Sequence, residues 1–329
     1  MSFCNIEPFE EKHIEGAAIL FAKRYRLERE HMHLLPPRYE DCSAVVPLLR
    51  DQIKKTPGVV AIENGRISGY LIGQLFLSWR GRRGVFVPFW AHSGEGESRK
   101  KIYQQMYAYI SSEWIVNGCF THLITGLAHD KEVIDTLFWL GFGMAVVDAM
   151  RDLGNIQCPA IDVEIRLATL DDLDVIVSLD HELARYLAGP PIFVAMTEKR
   201  SKEYHEKWLS DPLHSIWLAL DHGQAVAYMK ICPINEDYLI TDEKTVWIQG
   251  AYTKEHMRGK GIGTALLKQS LEWIQSQDYE RCAVDFEGEN ILAGAFWLRY
   301  FRPICFSLVR HIDKQIAWAH KGREDRHFW

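Results

Sequence analysis

The 329-residue sequence has no apolar run that crosses a membrane as a helix, which takes about 18 or more consecutive apolar residues. Its greasiest stretch, Ser68 to Trp79, is broken by Gln74 and followed by Arg80, Arg82 and Arg83. Nor does the start resemble a secretory leader, because Glu7, Glu10 and Glu11 stand where positive charge is wanted. A cytoplasmic location with no membrane partner is expected. Seven cysteines, an odd number with no C-x-x-C spacing, suggest neither a disulfide framework nor a zinc knuckle, and they read as reduced, buried thiols. Excess positive charge is also missing. Lys and Arg number 38 against 44 Asp and Glu, a net charge of −6, which argues against a nucleic-acid surface. Residues 1–155 hold 18 of each sign and residues 156–329 hold 20 basic and 26 acidic, so the whole imbalance lies in the second half, where a cationic small molecule is favoured.

What is present is ordinary folding material, 47% hydrophobic and 12% aromatic, in a length that suggests two domains. An internal repeat supports two. Phe138-Trp139-Leu140 recurs as Phe296-Trp297-Leu298, and Ile6 with Ile165, Gly69-Tyr70 with Ala227-Tyr228, and the strand at 59–62 with that at 215–220 keep nearly the same offset. The boundary falls in Gly154 to Ala160, where Gly, Asn, Gln and Pro interrupt periodicity. The expected division is 1–155, 160–312 and a tail from Asp313 to Trp329.

Periodicity in the second half predicts strands at Glu164–Ala168, Ser215–Asp221, Ala225–Cys232, Thr245–Tyr252, Arg281–Phe286 and Ile304–Val309. Helices are predicted at Leu170–Leu187, Lys199–Ser210, Ile262 to about Gln277, and Asn290–Tyr300. The fold class is α/β (α+β), rich in hairpins.

Between the strand ending near Thr253 and the helix opening at Ile262 lies Met257-Arg258-Gly259-Lys260-Gly261-Ile262-Gly263-Thr264-Ala265. Alternate glycines bring bare backbone to a helix start, where free N–H groups and the helix dipole favour phosphate oxygens. It is neither a P-loop, which needs Gly-Lys-Ser/Thr after a four-residue gap, nor a dinucleotide fingerprint, which needs glycine three residues after Gly261 or Gly263.

With its flanking strand and helix, this turn resembles the GNAT superfamily of acyl-CoA-dependent N-acetyltransferases, whose signature is Arg or Gln, two residues, Gly, one residue, Gly or Ala. Arg258, Gly261 and Gly263 match it, and Asn290, Ala293 and Phe296 fit a second family pattern on the next helix. The resemblance implies two tandem GNAT-like domains, each a mixed, mostly antiparallel sheet flanked by helices. In the first copy the corresponding turn, Ala91 to Arg99, lacks the signature and carries Glu95 and Glu97, so that copy is expected to be degenerate.

The implied co-substrate is acetyl-CoA, transferring its acetyl group directly to an amine, small or peptidic, without a metal. The implied coenzyme-binding residues are Ala251, Tyr252, Thr253, Arg258, Gly259, Lys260, Gly261, Ile262, Gly263, Thr264 and Asn290. Glu287 is the first candidate for general base, with Asp285 or a bound water as alternatives. Trp297 stands where relatives carry an acidic tyrosine, and an indole N–H is a poor acid. Tyr300 and Tyr252 are therefore the acid candidates. The alternative function is a non-catalytic acyl-CoA sensor or scaffold. The acidic loop Asn235 to Lys244 reads either as a cation attractor or as a solvated hairpin tip.

Overall fold

The computed structural model describes residues 4–97, 99–195, 200–234 and 236–316, which divide into two compact units. The first runs to Val147 and takes in Asp237–Ile240 and the chain from Ile304, and the second comprises Asp148–Glu236 and Thr241–Pro303. The end of the tail, with Trp318, Phe328 and Trp329, lies outside the described residues.

In chain order the first copy reads β1 (Asn5–Pro8), α1 (Ile14–His31), α2 (Val46–Ile53), β2 (Gly58–Glu63), β3 (Arg66–Ile72), β4 (Gln74–Trp79), β5 (Arg82–Val87), β6 (His92–Gly94), α3 (Arg99–Val116), β7 (Thr121–Leu127), α4 (Lys131–Trp139) and β8 (Gly143–Asp152). The second reads β9 (Glu164–Leu167), α5 (Leu173–Ala188), α6 (Lys202–Leu209), β10 (Ser215–Asp221), β11 (Gln224–Pro233), β12 (Thr245–Thr253), α7 (Ile262–Ser276), β13 (Arg281–Glu287), α8 (Ile291–Tyr300) and β14 (Arg302–His311). The strands and helices predicted in the second half are all there, displaced by a few residues at their ends.

Strand order in the first unit is β1-β2-β3-β6 in one sheet and β4-β5-β7-β14 in another run. In the second unit it is β13-β12-β11-β10-β9, with the part of β8 from Asp148 beside β13. In the second unit β9, β10, β11 and β12 pair antiparallel in succession, and β12 pairs parallel with β13. The β10–β11 turn places His222 at φ 48° and Gly223 at φ 79°, the two consecutive left-handed residues that a two-residue hairpin needs to match strand twist.

One expectation is corrected. β14 was read as the closing strand of the 160–312 domain, but it pairs antiparallel with β7, from Cys305 opposite Leu127 to His311 opposite Thr121, inside the first unit. An alternating strand carries the same sequence pattern whichever sheet edge it joins, so the repeat offset does not reveal its partner.

The second core forms where α5 and α6 cover one face of the sheet. Ile176, Leu179 and Trp208 meet Ile216, Leu218, Tyr228 and Cys232 there. On α7 an apolar stripe of Leu266, Leu267, Leu271 and Ile274 is buried, and the helix packs on β10–β12. Burying such a side chain contributes about 1.5–3 kcal/mol. This packing, not the turn itself, fixes where the start of α7 points.

Candidate functional site

A cavity of about 1030 Å³ in the second unit opens at the start of α7. Its wall includes every residue from Ala251 to Thr253 and from Met257 to Thr264, together with Asn290, Phe296 and Tyr300. The geometry of the turn separates the roles of its glycines. Gly259 and Gly261 have φ of 77° and 85°, a region most L side chains resist. A Cβ at Gly261 would also stand 2.8 Å from Pro159, whereas one at Gly263 would press on the Phe296 ring at 3.3 Å. Two glycines thus shape the backbone, and the third lets α7 approach α8.

Gly261 is the N-cap of α7 and offers no side chain to its amides, and no acidic residue occupies the first turn. The first intrahelical bond given at this end is Ala265 N–H to the Gly261 carbonyl, 3.0 Å. The amides before it are free to receive an anion. Arg258 is drawn inward: its Nε–H donates to the Thr253 carbonyl at 3.1 Å, and its guanidinium lies 4.7 Å from the Tyr186 ring centre and 5.5 Å from that of Tyr252. Asn290 Oδ1 caps α8 through Ala293 N–H at 3.1 Å and accepts the Tyr186 hydroxyl at 2.8 Å.

The cavity continues along β12, and the sheet itself makes the room. The parallel ladder runs from Thr245 opposite Arg281 to Ile248 opposite Val284 and ends. On the other side, Lys230 faces Gly250 and Ile231 faces Ile248, which leaves Gln249 as a bulge. A bulge bends its strand, so β12 turns away from β13 where their pairing stops. Beyond that point the β13-facing edge of β12 has backbone groups to offer a ligand.

The acid and base candidates separate spatially. Tyr252 and Tyr300 line the cavity, and the Tyr300 hydroxyl lies 3.0 Å from Thr264 Oγ1 in the first turn of α7. Burial, and next the Glu182 charge, raise the pKa of Tyr252, which makes its hydroxyl a weaker acid. Glu287 and Asp285 are not part of the cavity wall. Asp285 is exposed by surface area, yet the protein packed around it penalises its charged form. That burial, reinforced by the Glu287 charge, raises its carboxyl to about 6. Asp148 on β8 is buried and raised to about 8 by burial and then by the Asp285 charge.

The acidic loop does not act as a block. Asp242 is engaged by Arg281 and Thr245, and Lys244 pairs with Asp278.

Residues the sequence reading missed lie on the α5–α6 face. Asp180, 3% exposed, accepts the Tyr228 hydroxyl at 2.6 Å and Arg200 Nη1 at 3.3 Å, with His205 Nε2 at 3.5 Å. Burial works to raise its carboxyl, but His205, Arg200, Tyr228 and Lys230 hold it at about 2. Lys230 is fully buried, its Nζ having no hydrogen-bond partner among the described residues and lying 4.1 Å from the Trp208 ring centre and 4.7 Å from that of Tyr204. Burial and then Arg200 lower it to about 7. No motif announced this cluster, because its members are scattered from 180 to 230.

Lys230 contributes a pH dependence to stability. Its folded value lies below the unfolded value of 10.5, so folding favours the neutral amine. The penalty is full below about pH 7 and is relieved as pH rises from there toward 10.5. Lys230→Met is expected to raise Tm by several degrees at pH 6 and by less at pH 9.5, as thermal melts at the two pH values will show.

The comparisons with known proteins agree with this geometry. The model of the Acetyltransferase (GNAT) family matches residues 182–301. An uncharacterized N-acetyltransferase of Archaeoglobus fulgidus is 32% identical over 112 residues, 34% of this chain and 73% of that protein. The chain belongs to the GNAT acetyltransferase family. Acyl transfer is the chemistry that membership supports. GNAT structures also share the fold across almost the whole chain: a GCN5-related N-acetyltransferase from Sphaerobacter thermophilus at TM-score 0.58 and 14% identity covers 94% of this chain and 95% of its own. A tandem GNAT protein from the clavulanic acid biosynthesis pathway, solved without AcCoA, does so at 0.52 and 13% identity, covering 94% and 98%.

In the first unit a cluster of ion pairs stands at the start of α3. α3 begins at Arg99, whose guanidinium pairs with Asp130 at 2.8 Å and Glu132 at 2.7 Å, and Arg24 reaches Asp130 at 2.7 Å. Asp130 caps α4 as Asn290 caps α8. Two carboxylates held near the start of α3 oppose a diphosphate there. Among the described residues no helix is long and apolar enough to cross a membrane, and no group of three or more His, Cys, Asp and Glu is placed to hold a metal ion.

Proposed function

We propose that the protein is an acetyl-CoA-dependent N-acetyltransferase that transfers the acetyl group directly to an amine, with the second copy as the working site. One observation carries this reading: the uncapped start of α7 and the unpaired edge of β12 border the same cavity, one suited to a diphosphate and the other to an amide-bearing arm. Coenzyme binding falls to Ala251, Tyr252, Thr253, Arg258, Gly259, Lys260, Gly261, Ile262, Gly263, Thr264 and Asn290. Bound there, acetyl-CoA supplies an activated acyl carbon. Overall, a C–N bond forms and the C–S bond breaks; the ammonium loses one proton to become nucleophilic and the nitrogen loses a second after attack, and of these two one is balanced by the proton that the departing thiolate gains and the other is released to solvent.

Asp285 accepts the amine proton. A carboxyl at about 6 is basic enough to take part in this transfer near neutrality yet remains ionised. Glu287, two residues along the same strand face, raises it. Tyr300 protonates the sulfur, replacing the acid that Trp297 does not provide. Trp297 is instead buried and packs edge-on against Phe301. Tyr252 lines the cavity beside Ala251 and Thr253. The basic carboxyl favours catalysis over a coenzyme sensor, which has no need of one.

Tyr300→Phe is expected to lower kcat by about 10- to 100-fold with little change in acetyl-CoA affinity. Steady-state thiol release and calorimetric titration test the proposal. Binding without sustained release for any amine would contradict it.

A further inference from the structure

The acyl-transfer chemistry above makes no use of the cluster on the α5–α6 face, and burying an ammonium without a hydrogen-bond partner is costly. We infer that the acceptor is an amine that also carries a carboxylate, and that Arg200 receives this carboxylate beside the acetyl group. The inference rests on the transferase reading above and deepens it by naming the substrate class.

Arg200 is poised rather than spent. Its only hydrogen bond among the described residues is the 3.3 Å contact from Nη1 to Asp180, and its side chain remains 23% exposed. Its other N–H groups keep the planar fork that receives a carboxylate through two parallel bonds. The fork also lies at the right place along β12. A Cβ at Gly250 would stand 3.9 Å from Arg200 Nη1 and 3.6 Å from the Tyr228 hydroxyl. A Cβ there would sit in ordinary contact with both groups, so the missing side chain leaves room of about a methyl group beside Arg200, one residue before Ala251, which lines the cavity.

The charges around this space have opposite signs on two sides. Arg200 and the protonated form of Lys230 outweigh the single carboxylate Asp180, which is already bonded to Tyr228 and Arg200. Lys230 does not touch the ligand; in its protonated form, below about pH 7, it adds to the positive potential behind Arg200. Across the splay, Asp285 is close enough to feel Arg200, and Glu287 lies beside it. A zwitterion fits this arrangement, with its ammonium toward Asp285 and its carboxylate toward Arg200. An acceptor that is only a cation would face Arg200 unpaired.

The test compares kcat/KM for acetyl transfer to the common amino acids and to their decarboxylated amines, including phenylalanine against phenethylamine, tyrosine against tyramine and lysine against cadaverine. At least one amino acid is expected to exceed its amine by about 100-fold. Arg200→Gln is expected to erase that preference mainly through KM, to spare the amine, and to leave acetyl-CoA affinity unchanged, while Arg200→Lys restores part of it. Intact acetyl-CoA binding with equal or better use of the amines, with no acceptor among either set, or with an equal loss for both sets in Arg200→Gln overturns the acceptor assignment alone. Absence of acetyl-CoA binding by the wild type overturns the transfer reading, and this inference with it.

Discussion

Gly261→Glu is expected to abolish measurable acetyl-CoA binding in a chain that still folds. Three effects act together. The residue holds φ at 85°, and a β-carbon there meets Pro159 at 2.8 Å. Strain of this kind costs about 1–3 kcal/mol, which weakens the turn but leaves the sheet core intact. The new carboxylate stands at the helix start, where the diphosphate must lie. Repulsion between unit charges about 4 Å apart at a surface-like effective dielectric is about 4 kcal/mol, equivalent to roughly a 1000-fold loss of affinity. Gly261→Ala separates the terms, because it keeps the strain without the charge and is expected to lose only about tenfold. Calorimetry measures affinity and circular dichroism establishes the fold. Equal losses in the two variants would show that repulsion has no part.

Asp285→Asn has the second largest expected effect, a drop in kcat of about 100- to 1000-fold at pH 8, with acetyl-CoA binding preserved because the residue is outside the cavity wall. The sign of the pH dependence follows from the raised carboxyl. Below about pH 6 Asp285 carries its proton and does not accept another, so wild-type kcat/KM rises with pH through 6 and levels above it. In the variant this limb disappears. Asp148→Asn removes a neighbour that titrates near 8 and is expected to leave the limb in place. A limb near 6 that survives Asp285→Asn would transfer the role to another group, with Glu287 first in line.

Much of this was legible in the residues themselves. The α7 turn was readable because its function is written in consecutive positions: backbone angles, helix start and arginine all fall within Arg258 to Thr264. The elements of the second half were readable from periodicity, since each strand or helix buries one face. The partner of β14 was not, because pairing across a sheet edge is decided by distant chain. The same limit hid Arg200, Asp180 and Lys230. Asp180 lies on α5, Lys230 on β11 and Arg200 in the chain just before α6, so only the packing of α5 and α6 on the sheet brings them together. Gln157, Cys158 and Pro159 were read only as part of a boundary, but they line the cavity, and Pro159 packs where a Gly261 side chain would go.

The most direct measurement is a crystal structure of the protein grown with coenzyme A. The expected result is diphosphate density on the amides of Gly259 to Thr264, with the pantetheine arm running along β12 past Ala251. Density beside α3, where Arg99 meets Asp130, with the start of α7 empty, would contradict the account.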